Sequence, residues 1–147
     1  MAQNCGLYLQ NLNAELILFQ RNSDLSIAAS RVDSAKLREV RRVPGVADVG
    51  GIAFANVSIN LGPGAKNLNV ALIGVEPGKP GEPAPRVGRG LLGKDANDVL
   101  IDGRTALLTG LRVGQTLTIR VVQGTQEKLY NLRVVGISDS LQYFLQP

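Results

Sequence analysis

Three features of the chain predict an α+β fold. Apolar stretches of strand length recur from residue 52 to residue 137, only two stretches carry helix signals, and Gly or Pro punctuates the joins between them. The 147 residues allow one ordinary domain or two small lobes, and a hydrophobic content of 44% is enough for a core. Aromatic residues amount to 4%, with no Trp, which points to β structure packed with Val, Ile and Leu.

Residues 14–20 form an apolar run in which Leu16 and Leu18 point one way and Ile17 and Phe19 the other, so a strand covered on both faces is predicted. Residues 21–27 are polar enough for a loop. Asp33 sits well as the N-cap of a helix over 34–43, with Leu37 and Val40 one turn apart on its buried side. Arg38, Arg41 and Arg42 fall in its last turns, where cations suit the helix dipole, and Pro44-Gly45 ends it. This β-α-β start predicts half of a ferredoxin-like split unit.

The next strand changes phase. Ile52 and Phe54 occupy even positions, whereas Val57, Ile59 and Leu61 occupy odd ones, so a bulge or break near Ala55 and Asn56 is expected to re-aim the side chains. One strand would then pass between two sublobes. Gly62-Pro63-Gly64 turns the chain, and residues 68–75 run back as a strand. Residues 76–90 carry Pro77, Pro80, Pro83 and Pro85 among several glycines and are expected to form an exposed loop.

Residues 98–137 string a strand, a short helix and a hairpin together. Val99, Leu100 and Ile101 make the strand, Asp102-Gly103 ends it, and Arg104 to Thr109 are good helix formers with Leu107 and Leu108 on one side and Gly110 as a stop. Leu117, Ile119 and Val121 then face one way along a strand over 116–122. Residues 123–126 form a polar turn, and residues 128–137 return.

The chemistry legible in the chain is mostly scaffold chemistry. His is absent, which removes Ser-His-Asp and Cys-His catalysis and the commonest neutral metal ligand. Asp95 and Asp98 could share a cation, but Gly93, Lys94 and Asn97 around them favour a loop or helix-entry role. Asp102 is read as a turn or N-cap residue, and Asp139 as a cap or turn residue. Gly88-Arg89-Gly90 lacks the preceding strand and the spacing of a phosphate loop. No catalytic residue, cofactor or metal ligand is assigned. Arg86 and Arg89 on the Pro-rich stretch, and the hairpin tip at Gly124, are the candidate partner surface. A net charge of +4 with scattered Lys and Arg argues against nucleic acid. Cys5 is a single thiol that cannot form an internal disulfide.

The order of several short motifs resembles the extracytoplasmic core domain of MacB-type (FtsX-like) ABC transporter permeases, in their DevC-like branch. The matching pieces are residues 11–18, Val43-Pro44-Gly45-Val46, residues 72–77, residues 99–102, residues 111–115 and Val134-Val135-Gly136-Ile137. The resemblance implies a non-catalytic domain on the extracytoplasmic side of the cell membrane, coupling membrane-helix motion to a substrate or a periplasmic partner in export, efflux or lipoprotein transport. It implies an ABC ATPase as partner through membrane segments, and no nucleotide site here. Residues 1–61, joined by 138–147, would form a membrane-proximal porter-like lobe, and residues 62–137 a distal β-rich lobe. No apolar run approaches the 18 to 20 or so residues that span a bilayer, and residues 1–6 do not form a signal peptide, as expected of a loop between membrane helices. The family unit continues with a strand, helix and strand, so the chain is expected to stop short of them. The apolar residues Leu141, Tyr143, Phe144 and Leu145 would then be buried by self-association, as a homodimer that could exchange strands. A small cofactor-binding β-barrel enzyme and a freestanding adaptor or adhesion module are the alternatives.

Overall fold

The structure, a computed structural model, describes residues 14–23, 29–93 and 97–139. The expectations for Cys5, for the matched stretch at residues 11–13, for the loop residues 24–27, for Asp95 and for the apolar end at Leu141, Tyr143, Phe144 and Leu145 lie outside the described residues.

The fold is α+β. Helix α1 (Ser34–Arg41) precedes strands β1 (Ile52–Ile59), β2 (Leu68–Val75), β3 (Pro85–Gly88) and β4 (Asp98–Asp102); helix α2 (Gly103–Thr109) and strands β5 (Thr116–Gln123) and β6 (Gln126–Ser138) follow. Five strands run in the order β2-β1-β5-β6-β3, each antiparallel to its neighbour, and β4 pairs with β6 in parallel. Two long ribbons dominate the sheet. In one, β1 pairs with β2 from Ile52–Val75 to Ile59–Leu68 without a slip; in the other, β5 pairs with β6 from Thr116–Arg133 to Gln123–Gln126. Among the described residues the ladder joins the ribbons only at Ser58–Arg120 and Ile59–Ile119, with one further hydrogen bond from Asn60 N–H to the Thr118 carbonyl (2.9 Å).

The phase change in β1 is real, but its cause is not a bulge. Directly opposed residues of an antiparallel pair share a face. Ala55–Leu72, Val57–Val70 and Ile59–Leu68 therefore face one side, and Ile52–Val75 and Phe54–Ile73 the other. Near the junction the first side is covered, by a cluster of Val57, Ile59, Ile101, Leu117, Ile119 and Val134. At the far end the second side is covered, where Ile17 and Phe19 pack with Ile52, Phe54 and Ile73. The ribbon keeps its register and changes which face it buries.

The same packing corrects the reading of residues 14–20. They form no strand; Leu16 is 88% exposed and Leu18 59%, while Ile17 and Phe19 turn onto the ribbon. One-sided cover explains the alternation without a ladder.

The helices follow their caps. Asp33 accepts a hydrogen bond from Ala35 N–H (2.8 Å) to start α1, which ends at Arg41 with Arg42 as C-cap, ahead of Pro44. Leu37 and Val40 are half-buried as expected. Asp102 caps α2 through Thr105 N–H (2.8 Å), and Gly110 closes it at φ 71 in the left-handed region that glycine adopts without strain. On α2, Ala106 packs against the main cluster, joined by Leu111 just beyond the helix, and Leu107 and Leu108 are exposed. Of β5, Leu117 and Ile119 are buried on the predicted face. A two-residue turn, Gly124-Thr125, joins β5 to β6 with a positive φ at Gly124 alone, the pattern of a type II′ hairpin.

Candidate functional site

Residues 76–90 are not one exposed loop. β3 occupies Pro85–Gly88, with Pro85 at its first position, where a missing N–H is tolerated, and it pairs with the end of β6. Ahead of it the half-buried Glu82 straps the segment. Its carboxylate accepts hydrogen bonds from Gly78 N–H (2.7 Å) and Leu91 N–H (2.8 Å), fixing the two ends of the turn-rich stretch. Lys79 holds the same stretch to Asp48 through both carboxylate oxygens, at 3.1 and 3.0 Å.

The Lys79 hydrogen bond, with a second from Val49 N–H, holds the Asp48 carboxyl below the ordinary carboxylate range. A carboxylate with a depressed folded pKa stabilises the fold above its unfolded value and loses that contribution as pH falls through its folded value. The tie is therefore complete at neutral pH and is released in acid. An NMR titration of the Asp48 carboxyl should show a midpoint below that of a free aspartate, and Lys79→Met should move it back up.

The candidate site lies where β3, β4 and the end of β6 meet. Two glycines permit the approach. A Cβ on Gly88, at φ +82, would clash with the Val135 carbonyl oxygen, and a Cβ on Gly136 would lie 2.5 Å from the Arg89 carbonyl oxygen and 2.6 Å from Leu100 Cδ2. Relative to β4, β6 carries one extra residue here, Val135, since β4 pairs Val99 with Val134 and then Leu100 with Gly136.

Arg89 follows β3, and its backbone N–H donates to the Val135 carbonyl (2.9 Å). Its guanidinium donates to Asp98 Oδ2 at 2.6 Å and to the Gly90 carbonyl at 3.0 Å. The Asp98 side chain is 6% exposed and that of Arg89 38%, so the pair has one foot in the interior. Asp98 opens β4, beside Asn97, whose carbonyl accepts Arg133 N–H (2.7 Å). Gly114 N–H donates to the Val134 carbonyl (2.7 Å) and Val134 N–H to the Gln115 carbonyl (2.9 Å), which draws Val113 alongside. A shallow, open depression of about 240 Å³ results, lined by Arg89, Arg133, Val113, Val134 and Val135 among others. Arg133 makes no ion pair among the described residues. An apolar lining beside one available guanidinium suits an extended segment carrying a carboxylate, and it offers no arrangement of nucleophile and base.

The expected surface residues do not converge. Arg86 is on β3 and forms an exposed ion pair with Asp139 (3.0 Å), which gives Asp139 a role other than a cap. Arg89 points to Asp98. Gly124 is in the turn just before β6, and from the first residue of that strand, Gln126, Gly136 is roughly 33 Å away at about 3.3 Å per residue. Asp98 serves as an ion-pair partner and not as a loop or helix-entry residue. Sequence reasoning missed Arg133, whose signal was a single charge inside the apolar end of β6, between Leu132 and Val134. It also missed Glu82, an acid bracketed by Gly81 and Pro83. Among the described residues no three of Cys, Asp and Glu gather as a metal site, and no helix is long and apolar enough to cross a membrane.

No protein-family model matches the chain, and no curated protein matches it.

Proposed function

We propose that the chain is a non-catalytic extracytoplasmic domain of a MacB-type ABC transporter permease, of the DevC-like branch, which couples the motion of membrane helices to a substrate or an extracytoplasmic partner. The order of its six short motifs along the sequence carries this reading. The local roles of the motif residues support it. Asp102 caps a helix, Gly114 hydrogen-bonds to β6, and Gly136 admits β3 at close range. Residues so occupied stiffen the part of the sheet around β3, β4 and β6, and a stiff part is what transmission of a rigid-body displacement needs.

On this reading residues 1–61 with 138–147 belong to the membrane-proximal, porter-like lobe, of which α1 and β1 supply part of a ferredoxin-like unit. Residues 62–137 belong to the distal lobe. The ATPase partner acts through membrane segments, and the depression beside Arg89 and Arg133 is the surface offered to a periplasmic adaptor or a substrate.

The test is the location of the native gene product. An epitope tag placed in the Gly124-Thr125 turn of the chromosomal gene should appear in the membrane fraction and be removed by protease added outside the cytoplasmic membrane. Recovery of the tag in the cytosolic fraction, or protection from external protease in intact spheroplasts, would overturn the proposal.

A further inference from the structure

Strand β2 ends the sheet and pairs only with β1, so its outer edge has no ladder partner among the described residues. Edge strands normally carry a charge, a Pro or a bulge that discourages pairing with another chain. β2 has none of these over eight residues, Leu68-Asn69-Val70-Ala71-Leu72-Ile73-Gly74-Val75, and its register with β1 is unbroken. Charges appear only where the strand stops. Lys66 precedes it and Glu76 follows it, each five residues from Ala71, and both are exposed. Neither makes an ion pair among the described residues.

That placement is self-complementary. If two copies pair antiparallel across a two-fold axis through Ala71, each Lys66 lies beside the partner subunit's Glu76. Val70 then lies beside the partner subunit's Leu72, and Leu68 beside the partner subunit's Gly74. Each of these pairs matches residues of one face, because the register joins even positions to even ones. The half-buried Leu68, Val70 and Leu72, which pack on the main cluster, would continue as one apolar face across the junction. Cross-strand apolar and opposite-charge pairs of this kind are the units that stabilise a sheet.

We propose that β2 is a homodimerisation edge, on which a second copy of this chain adds its own β2 antiparallel about Ala71 to make one continuous sheet. The occupant is fixed by the charges. An arbitrary extended peptide would meet an uncharged edge with no preference, whereas a second copy finds Lys66 and Glu76 in opposition at both ends. The proposal is independent of the transporter reading.

Sedimentation equilibrium of the whole chain should show a monomer–dimer equilibrium. Lys66→Glu turns both terminal attractions into repulsions and should weaken the dimer by about tenfold, while the exchange Lys66→Glu with Glu76→Lys should restore the original affinity. Both residues lie outside the strand and on the surface, so circular dichroism should not change. In a Cys5→Ser background, Ala71→Cys should give a covalent dimer on mild oxidation, because only a residue on the axis faces its own copy. Ala55→Cys, exposed on β1, should not. A chain that stays monomeric throughout, a dimer indifferent to Lys66→Glu, or failure of the double exchange to restore affinity would overturn the proposal.

Discussion

Gly136→Ala is expected to destabilise the protein by about 3 kcal/mol, at the upper end of the range for overpacking a well-packed site. The added Cβ would lie 2.5 Å from the Arg89 carbonyl oxygen, 2.6 Å from Leu100 Cδ2 and 3.2 Å from the Val87 carbonyl oxygen. Two of these three atoms are backbone, so a side-chain rotation cannot relieve the contact. β3 would have to move off β6 and release its hydrogen bonds, the one from Arg89 N–H to Val135 included. Urea denaturation should show a lower midpoint at unchanged slope. Gly93→Ala is the matched control, since its Cβ would meet nothing within 4 Å, and it should change stability by no more than about 0.5 kcal/mol. Equal midpoints for the two variants would show that β3 is not packed against Gly136 as described.

Arg89→Met should cost about 2 kcal/mol, whereas Arg86→Met should cost no more than about 0.5 kcal/mol. Each arginine pairs with an aspartate, at 2.6 and 3.0 Å, and the difference lies in what remains when the arginine is removed. Asp98 is 6% exposed, so without Arg89 it is a carboxylate short of both water and a cation; Asp139 is 64% exposed and is rehydrated at once. The loss stays below that of a fully buried pair because Arg89 itself is 38% exposed. A double-mutant cycle provides the check. Adding Asp98→Asn to Arg89→Met should recover part of the loss, which a purely steric role for the Arg89 stem would not allow.

Much of this fold was legible locally. Asp33 and Asp102 announce their helices, Gly110 ends one of them, and the alternation of Leu117 and Ile119 sets the buried face of β5. What was not legible depends on partners distant in the chain. The shift from Phe54 to Val57 can arise from a bulge or from an exchange of buried face, because both invert the parity of the covered positions. The unbroken pairing of β1 with β2 excludes the bulge, and Ile17 and Phe19 supply the cover on the second face. The apolar run over residues 14–20 reads as a strand covered on both faces, yet only Ile17 and Phe19 find cover and Leu16 and Leu18 stay exposed, which no local pattern separates. The brief strand β3 is hidden by its prolines and glycines, yet Gly88 is what allows it to lie against β6, and Gly136 reads as one more residue of the returning strand until β3 is placed beside it. At the candidate site exposure and polarity single out Arg86, Arg89 and Gly124 in the sequence. Those criteria missed the interior partner of Arg89 and the lone charge at Arg133.

The narrow contact between the two ribbons has a thermal consequence. Among the described residues, two ladder positions and the Asn60–Thr118 hydrogen bond are the only directional ties between β1 and β5. The rest of the attachment is the apolar contact of Val57 and Ile59 with Leu117 and Ile119. Such contact resists separation but has no preferred angle, so the joint can tolerate torsion more readily than opening. Its strength also fades on cooling, because the hydration term that drives apolar burial weakens toward low temperature. The seam between the ribbons should thus be the first part of the sheet to soften in the cold, while each ribbon keeps its own ladder.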